Sequence, residues 1–284
     1  MHDENLSPSS FRADLHCHST CSDGTATPEE LIFLAKKIGL KGLSITDHDT
    51  VSAYTSAIPV AAEAGILLGV GIEFSCDFQG YSVHVLGYNF PLEDAGILAL
   101  CTRHQERRKD RNALMLEKLR RKGLPIDPAE LLAHGTVGRP HIAQAMVEKG
   151  YVASVREAFQ CYLGEGQSCY EKGEPFPVED ALRIIHAAQG KAFLAHPHLY
   201  NRQRMIKKLL ELPFDGIECY YAKCSPDQER RWRTIAMERG LLLSGGSDFH
   251  GSIKPSLPLG CSWVDEAAFY KIFPKKLSIS EGER

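Results

Sequence analysis

Two histidines separated by one residue, His16 and His18, follow the short apolar run that begins at Phe11. Alternate side chains of a β-strand point to the same face, so both imidazoles can reach one metal ion. A His-x-His pair is common by chance, but histidines and carboxylates recur just after other short apolar runs. These groups are Asp47-His48-Asp49, Glu73, His84, His196 and Asp248-Phe249-His250. Together they predict a metal site rather than a set of hydrogen-bonded core residues.

The ligand types narrow the choice of metal. Imidazole with carboxylate suits manganese, iron or zinc, whereas a site built only from oxygen favours magnesium or calcium. Structural zinc usually takes closely spaced cysteines, but the nine cysteines of this chain are scattered and form no C-x-x-C pair. The pattern therefore predicts a catalytic centre, and the cysteines are interpreted as reduced thiols. Cys17, between two candidate ligands on a strand, should point to the opposite face and belong to the core.

Short apolar runs alternate with helical patterns over most of the chain. A helix is predicted up to Gly39, because Thr27-Pro28-Glu29-Glu30 supplies an N-cap, a proline at N1 and a capping-box glutamate. Further helices are predicted over 51–64, 178–189, 202–212 and 226–239. The sequence predicts strands over 43–46, 67–74, 82–88, 191–195, 216–220 and 241–244.

This alternation, with polar residues at the strand ends, is typical of a β/α barrel, whose active site lies at the carboxyl ends of its strands. A doubly wound sheet would show the same alternation. Ligands contributed by strands from the first to the last can converge only if the sheet closes into a ring, and this favours the barrel. The predicted fold class is therefore α/β, with a TIM-like barrel as the architecture.

One segment, residues 91–177, breaks the alternation and shows only helical patterns, over 98–122, 128–133, 141–149 and 152–163. It is predicted to be a helical insertion carried on a barrel loop, where functional insertions usually occur. The barrel domain is then discontinuous, over 11–90 and 178–265.

The insertion carries a run of basic residues. Arg103, Arg107 and Arg111 lie at i, i+4 and i+8, and Arg108, Lys109, Arg120, Arg121 and Lys122 add charge on other faces. Such a run is usually a solvated face, and that is the first interpretation. The alternative is an electrostatic guide for a polyanionic substrate.

Bulk properties exclude several classes of protein. The 284 residues carry a net charge of −3, so no global field attracts nucleic acid or an anionic membrane. The first ten residues are polar and acidic, unlike a signal peptide, and no long uncharged apolar stretch is present. These features predict a cytoplasmic protein. No stable protein partner is indicated.

The motifs, in content and in order, resemble those of the PHP (polymerase and histidinol phosphatase) family over residues 12–251. They are His16-x-His18 with Ser22-Asp23-Gly24, Thr46-Asp47-His48-Asp49, Gly71-Ile72-Glu73, Val83-His84, Ala195-His196-Pro197 and Ser247-Asp248-x-His250. The resemblance implies a distorted (β/α)7 barrel that holds two to three divalent ions, with manganese expected first and iron or zinc as alternatives.

The resemblance also implies a ligand set for each ion. None of the expected ligands is missing, and Glu73, His196, Asp248 and His250 are the residues expected to be catalytic as well. The first ion would take His16, His18, Glu73 and Asp248, the second Glu73, His84 and His196, and the third Asp23, His48 and His250.

Within the family, the helical insertion and the motif Gly138-Arg139-Pro140-His141 resemble the branch of nucleoside 3′,5′-bisphosphate phosphatases and 5′-3′ exoribonucleases. Arg139 offers a fork of donors for phosphate oxygens, and His141 could donate a further hydrogen bond. Pro140 suits position N1 of a helix, whose N-terminus would also favour an anion. His198, two residues after His196, is a third candidate for substrate binding.

The predicted function is hydrolysis of the 3′-phosphate of nucleoside 3′,5′-bisphosphates, or of short 5′-phosphorylated RNA, by attack of a metal-bridging hydroxide. One alternative is a histidinol-phosphate phosphatase, which would need a small closed pocket. Another is a metal-dependent amidohydrolase, which typically needs a bridging lysine where this chain has Glu73. A regulatory module without catalysis should have lost ligands. No GxxxxGK[ST] or GxGxxG loop supports a nucleoside triphosphatase or a dinucleotide enzyme.

Overall fold

A computed structural model describes residues 11–131, 135–200 and 202–274 of the chain. The prediction for the first ten residues lies outside the described residues. So does the end of the helix expected over 128–133. Among the described residues no helix is long and apolar enough to cross a membrane.

Eight strands form two sheets within the described residues. The first sheet is parallel and has the order β1-β2-β3, and the second has the order β4-β5-β6-β7-β8. In the second sheet β5 is antiparallel to both of its neighbours, whereas β6, β7 and β8 are parallel. The strands are β1 (Ala13–Cys17), β2 (Gly42–Ile45), β3 (Leu67–Leu68), β4 (Gly71–Phe78), β5 (Tyr81–Tyr88), β6 (Lys191–Leu194), β7 (Gly216–Tyr221) and β8 (Leu242–Gly246).

The two sheets meet at both of their margins. On one side an isolated bridge pairs His48, after β2, with Glu73 of β4. On the other side Cys17 pairs with Phe249, and the Asp248 amide donates to the His16 carbonyl at 2.8 Å. The α/β class is thereby confirmed, and the carboxyl ends of strands from both sheets lie together. The two sheets are joined by isolated bridges and not by continuous strand pairing around a closed ring in the described residues. The barrel therefore stays a prediction.

The helices that cover the sheets begin and end where the local sequence favours it. At the start of α1 both hydrogen bonds of the predicted capping box are present. The Glu30 amide donates to the Thr27 hydroxyl, and the Thr27 amide donates to the Glu30 carboxylate. The helices are α1 (Pro28–Lys37), α2 (Tyr54–Ala64), α3 (Ala95–Arg121), α4 (Arg139–Glu148), α5 (Val155–Ala158), α6 (Val178–Ala187), α7 (Gln203–Leu209), α8 (Pro226–Glu238) and α9 (Glu266–Ile272).

The prediction of a single strand over 67–74 is wrong, because the strand is interrupted between β3 and β4. At the break the Tyr54 hydroxyl accepts from the Gly71 amide at 2.6 Å and lies 2.8 Å from the carbonyl oxygens of Ile45 and Gly69. This one side chain therefore joins the end of β2 to backbone groups on both sides of the interruption. β4 then extends to Phe78 and turns directly into β5 through Gln79 and Gly80, both with positive φ, as a hairpin requires.

Residues 91–177 contain helices and no named strand in the part that the structure describes, which agrees with the expected helical segment. α3, α4 and α5, with a short π-helix over Phe159–Leu163, enclose their own apolar cluster. The boundaries of this segment as a domain remain a prediction.

None of the nine cysteines forms a disulfide. Cys17 is fully buried beside Leu43 and Ile45, and its thiol donates to the Ser44 carbonyl at 3.4 Å.

Candidate metal centre

The nine predicted ligand residues lie close together, and five of their histidines surround the carboxylate of Glu73, which is 1% exposed. Its Oε2 lies 3.3 Å from His16 Nε2, 3.2 Å from His18 Nε2 and 3.2 Å from His48 Nδ1. Its Oε1 lies 2.7 Å from His84 Nδ1 and 3.0 Å from His196 Nε2. Burial would raise the pKa of Glu73, but the surrounding histidines hold it well below its usual range. A carboxylate in this position can bridge two cations.

Two further carboxylates complete the group. Asp248 Oδ1 lies 3.3 Å from His18 Nε2, 3.6 Å from His16 Nε2 and 3.4 Å from His250 Nδ1. Asp23 Oδ1 lies 3.4 Å from His250 Nε2, and its Oδ2 lies 3.8 Å from His48 Nε2. We call these nine residues the ligand cluster: His16, His18, Asp23, His48, Glu73, His84, His196, Asp248 and His250.

Donor atoms in the ligand cluster gather into three compact groups. The groups are His18, Asp23, His48 and His250; His16, His18 and Asp248; and His48, Glu73 and His84. They overlap with the three sets that the sequence predicts, although His18 and His48 each belong to two groups and His196 belongs to none.

Strand ends deliver the ligand cluster to one place. His16 lies in β1 and His18 directly follows it, while Glu73 and His84 come from the β4–β5 hairpin. His196 and Asp248 follow β6 and β8 with φ values of 28° and 51°. Left-handed backbone at residues other than glycine costs roughly 1–3 kcal/mol each and is concentrated at functional sites.

Three buried ring nitrogens, those of His16, His18 and His48, fit a metal better than any protein partner. His16 Nε2, His18 Nε2, His48 Nδ1 and His196 Nδ1 are buried without a hydrogen bond to the described residues. Buried polar atoms are nearly always satisfied, and three of these four face the Glu73 carboxylate at more than 3 Å. Unprotonated imidazole and carboxylate are the ligands of manganese, iron and zinc. The residues present therefore fit divalent ions.

Sequence analysis missed the supporting role of two carboxylates: it did not name Glu218, and it named Asp47 only as part of the metal-site pattern. Glu218 in β7 is 1% exposed, and it accepts from His16 Nδ1 at 2.8 Å and from the His196 amide at 2.6 Å. Asp47 accepts from the Ser19 and Ser22 hydroxyls, both at 2.5 Å. The single carboxylate in the apolar run 216–220 was the only signal for Glu218.

A cavity of about 240 Å³ opens beside the ligand cluster. The side chains of Asp23, His48, His84 and His250 form one end of its lining. Four arginines from the insertion also line it, namely Arg107, Arg108, Arg111 and Arg139, and Phe159 and Tyr170 add aromatic surface. The lining includes four carboxylates outside the predicted ligand residues as well, those of Asp49, Asp77, Glu171 and Glu174.

The interpretation of the α3 arginines as a solvated face is wrong for three of them. Arg108 is 9% exposed, and its Nε donates to Asp49 Oδ2 at 2.5 Å while Nη2 donates to the Ser75 hydroxyl at 2.7 Å. Arg107 and Arg111 are half-buried, and only Arg103 of the predicted stripe is exposed. The reason is that α3 lies beside β4, where His104 contacts Phe74 and Arg108 donates to Ser75, so part of its basic surface lines the cavity.

Arg111 and Arg139 have no carboxylate partner among the described residues. Arg111 donates only to the Asn112 side chain, and the Arg139 guanidinium lies over the Phe159 and Tyr170 rings. Burial, together with the charges of Arg108 and Arg139, lowers the pKa of Arg111 to about 9. Cations gathered in this way without a counterion favour an anionic ligand.

The other two predicted substrate-binding residues lie elsewhere. His141 Nδ1 accepts from the Gly138 amide at 2.9 Å at the start of α4, where Pro140 occupies the second rather than the first helical position. His198 packs against Tyr221 with ring centroids 4.3 Å apart and ring planes tilted by 46°, and burial lowers the pKa of His198 to about 4. Neither lines the cavity. Their role in substrate binding stays a prediction.

One family model and several known proteins match most of this chain. The model of the PHP domain family matches residues 14–225. A 5′-3′ exoribonuclease of Haemophilus influenzae is 36% identical over 260 residues, which cover 89% of this chain and 92% of that protein. A 3′,5′-nucleoside bisphosphate phosphatase of Chromobacterium violaceum is 32% identical over 246 residues, with 84% and 86% covered.

A solved structure shares the fold. It is that of a protein from Bifidobacterium adolescentis assigned as a metal-dependent phosphoesterase, and it superposes with a TM-score of 0.85 at 30% identity. The superposition covers 92% of this chain and 95% of that one.

Proposed function

The chain belongs to the PHP domain family, and on that premise we propose that it is a metal-dependent phosphoesterase of nucleotides. Its substrates are nucleoside 3′,5′-bisphosphates, which lose the 3′-phosphate, or short RNAs that carry a 5′-phosphate. The observation that carries the proposal is the cavity that joins the ligand cluster to the unpaired cations Arg111 and Arg139. A substrate with two phosphates would place one at each end.

We assign three ligand sets to the ligand cluster, with manganese as the expected ion. Bound divalent ions supply a water of lowered pKa and neutralise negative charge on the phosphoryl group. The first set is His16, His18, Glu73 and Asp248, the second is Glu73, His84 and His196, and the third is Asp23, His48 and His250.

The residues of the chain itself bind and orient the substrate. Arg111 and Arg139 hold the phosphate that is not cleaved, through charge-assisted hydrogen bonds. This fixes the other phosphate at the ligand cluster, which is how binding of a remote group accelerates a reaction. His141 contributes by capping the first turn of α4, from which Arg139 projects.

The architecture proposed for this activity is a distorted (β/α)7 barrel over 11–90 and 178–265 with an insertion over 91–177. All four arginines that line the cavity come from α3 and α4 in the insertion. The insertion is therefore the part of the chain that selects a phosphorylated nucleotide, while the strand ends of the barrel carry the hydrolytic centre.

The test compares substrates that differ only in the remote phosphate. Arg139→Ala should lower kcat/KM for adenosine 3′,5′-bisphosphate by about 10- to 100-fold, the loss expected for a hydrogen bond between charged groups. It should scarcely change hydrolysis of adenosine 3′-monophosphate. Arg156→Ala, an exposed arginine of the same insertion, is the matched control.

Two results would contradict the proposal. Equal losses on both substrates would show that Arg139 does not bind the remote phosphate. Faster turnover of histidinol phosphate than of any nucleotide would assign the enzyme to the other phosphatase class.

A further inference from the structure

The two oxygens of the Asp248 carboxylate have different surroundings. Oδ1 faces the histidines of the ligand cluster at 3.3–3.6 Å. Oδ2 accepts two hydrogen bonds of 2.8 Å, one from the Tyr221 hydroxyl and one from Lys254 Nζ. The carboxylate is thus held so that only one oxygen points toward the ions.

The two donors to Oδ2 are not equivalent. Tyr221 is buried, lies between His196 and His198, and is absent from the cavity lining. Lys254 follows the short 3₁₀-helix Gly251–Ile253, and its side chain, 38% exposed, lines the same cavity as His48, His84 and His250. Tyrosine supports the carboxylate from within the protein, whereas lysine does so from the substrate side.

A lysine at this position is unfavourable for metal binding alone. A positive charge next to a ligand repels the cations that the ligand cluster gathers, and the repulsion is strong in a partly buried site. A neutral donor such as Tyr221 orients Oδ2 without that repulsion. The ammonium also has three hydrogens, and within the described residues it makes no hydrogen bond other than that to Asp248. Two donors therefore remain for an anionic group in the cavity.

We propose that Lys254 is a catalytic residue, which donates to Asp248 Oδ2 and to a non-bridging oxygen of the phosphoryl group that is cleaved. Tyr221 is a positioning residue that acts only through Asp248. The inference rests on the proposed function for the phosphoryl group as the anion. It adds a protein cation at the reacting end of the cavity, opposite Arg111 and Arg139.

Two variants separate the two roles, because each removes one hydrogen bond to the same oxygen. Lys254→Met should weaken the binding of inorganic phosphate to the manganese-loaded protein by about 10-fold or more, since a charge-assisted bond is lost. It should leave manganese affinity unchanged or tighter. Tyr221→Phe should weaken manganese binding and leave phosphate affinity, measured at saturating manganese, unchanged. Calorimetric titrations with manganese and then phosphate measure both.

Activity supplies a further comparison. Lys254→Met should lower kcat on the bisphosphate more than KM changes, and Lys254→Arg should restore part of the loss because the cation returns. Lys207→Met, an exposed lysine of α7, is the control for loss of a positive charge.

Unchanged phosphate affinity in Lys254→Met would overturn the proposal, and so would matching effects of the two variants on manganese and phosphate. The phosphate titration needs no nucleotide. If the wild-type protein fails to hydrolyse nucleotides while the phosphate shift is present, the proposed substrate class fails and the role of Lys254 stands.

Discussion

Glu218→Gln alters the support of two ligands without changing side-chain volume. The carboxylate offers one oxygen to His16 Nδ1 at 2.8 Å and the other to the His196 amide at 2.6 Å. Glutamine has one acceptor oxygen, so its amino group must face one of these donors. The variant therefore loses at least one charge-assisted hydrogen bond in a buried site, which corresponds to about 1.5–3 kcal/mol of unfolding free energy.

The metal should respond as well. Donation from Nδ1 to Glu218 fixes the tautomer in which His16 Nε2 carries a lone pair toward the Glu73 and Asp248 carboxylates. Losing such a support typically weakens metal binding by about 10- to 100-fold, which is roughly 1.4–2.7 kcal/mol.

The assay combines two measurements on the same preparations. Urea denaturation of the metal-free protein gives the change in unfolding free energy, and calorimetric titration with manganese gives the affinity. Glu238→Gln, an exposed glutamate of α8, controls for the loss of a negative charge. Wild-type manganese affinity in Glu218→Gln would refute the reasoning, even if stability fell, because the carboxylate would then support the fold and not the ligands.

Further expectations concern the core, the acid response and the metal. Cys17→Ala should lower Tm by about 2 °C through a loss of about 1 kcal/mol of packing, with manganese stoichiometry by elemental analysis unchanged; loss of metal from a folded variant would make the sulfur a ligand. Burial lowers the pKa of His104 to about 4, so the unfolded chain binds a proton that the folded chain does not between pH 6.5 and 4. His104 should therefore contribute up to about 3 kcal/mol to the fall in the unfolding free energy of the metal-free protein over that range, and this contribution should be missing in His104→Phe; parallel curves would refute it. Chelation should abolish phosphate release and lower Tm, and added manganese should restore both; activity that survives complete chelation would contradict a metal centre.

Local sequence determined much of the fold because its signals act over a few residues. The capping box at Thr27 and Glu30 and the apolar runs of the strands are of this kind, and so is the positive φ at Gly39 that ends α1. The hairpin between β4 and β5 was also within reach, since Gln79-Gly80 is a turn signal that the prediction did not use.

Features that depend on distant contacts could not be predicted in the same way. Whether Arg108 is solvated depends on what α3 packs against, and the helical repeat alone does not say which face is covered. Glu218 is one carboxylate in an apolar strand. Its role depends on a hydrogen bond with His16, which lies 202 residues away in sequence. The break before β4 depends on Tyr54, which reaches it from a helix.

The order of the ligands along the chain has a consequence for synthesis. His16 lies in β1, the first strand of the chain. Asp248 follows β8, the last strand that the structure describes, and its amide donates to the His16 carbonyl. At about 5–20 residues per second, roughly 10 to 50 seconds separate the translation of these two residues. On the proposed ligand sets, the early histidines lack during that interval the carboxylate that completes the first set. The proposed hydrolytic centre would then form only after β8 has joined β1, and a chain that ends before Asp248 would not hydrolyse nucleotides.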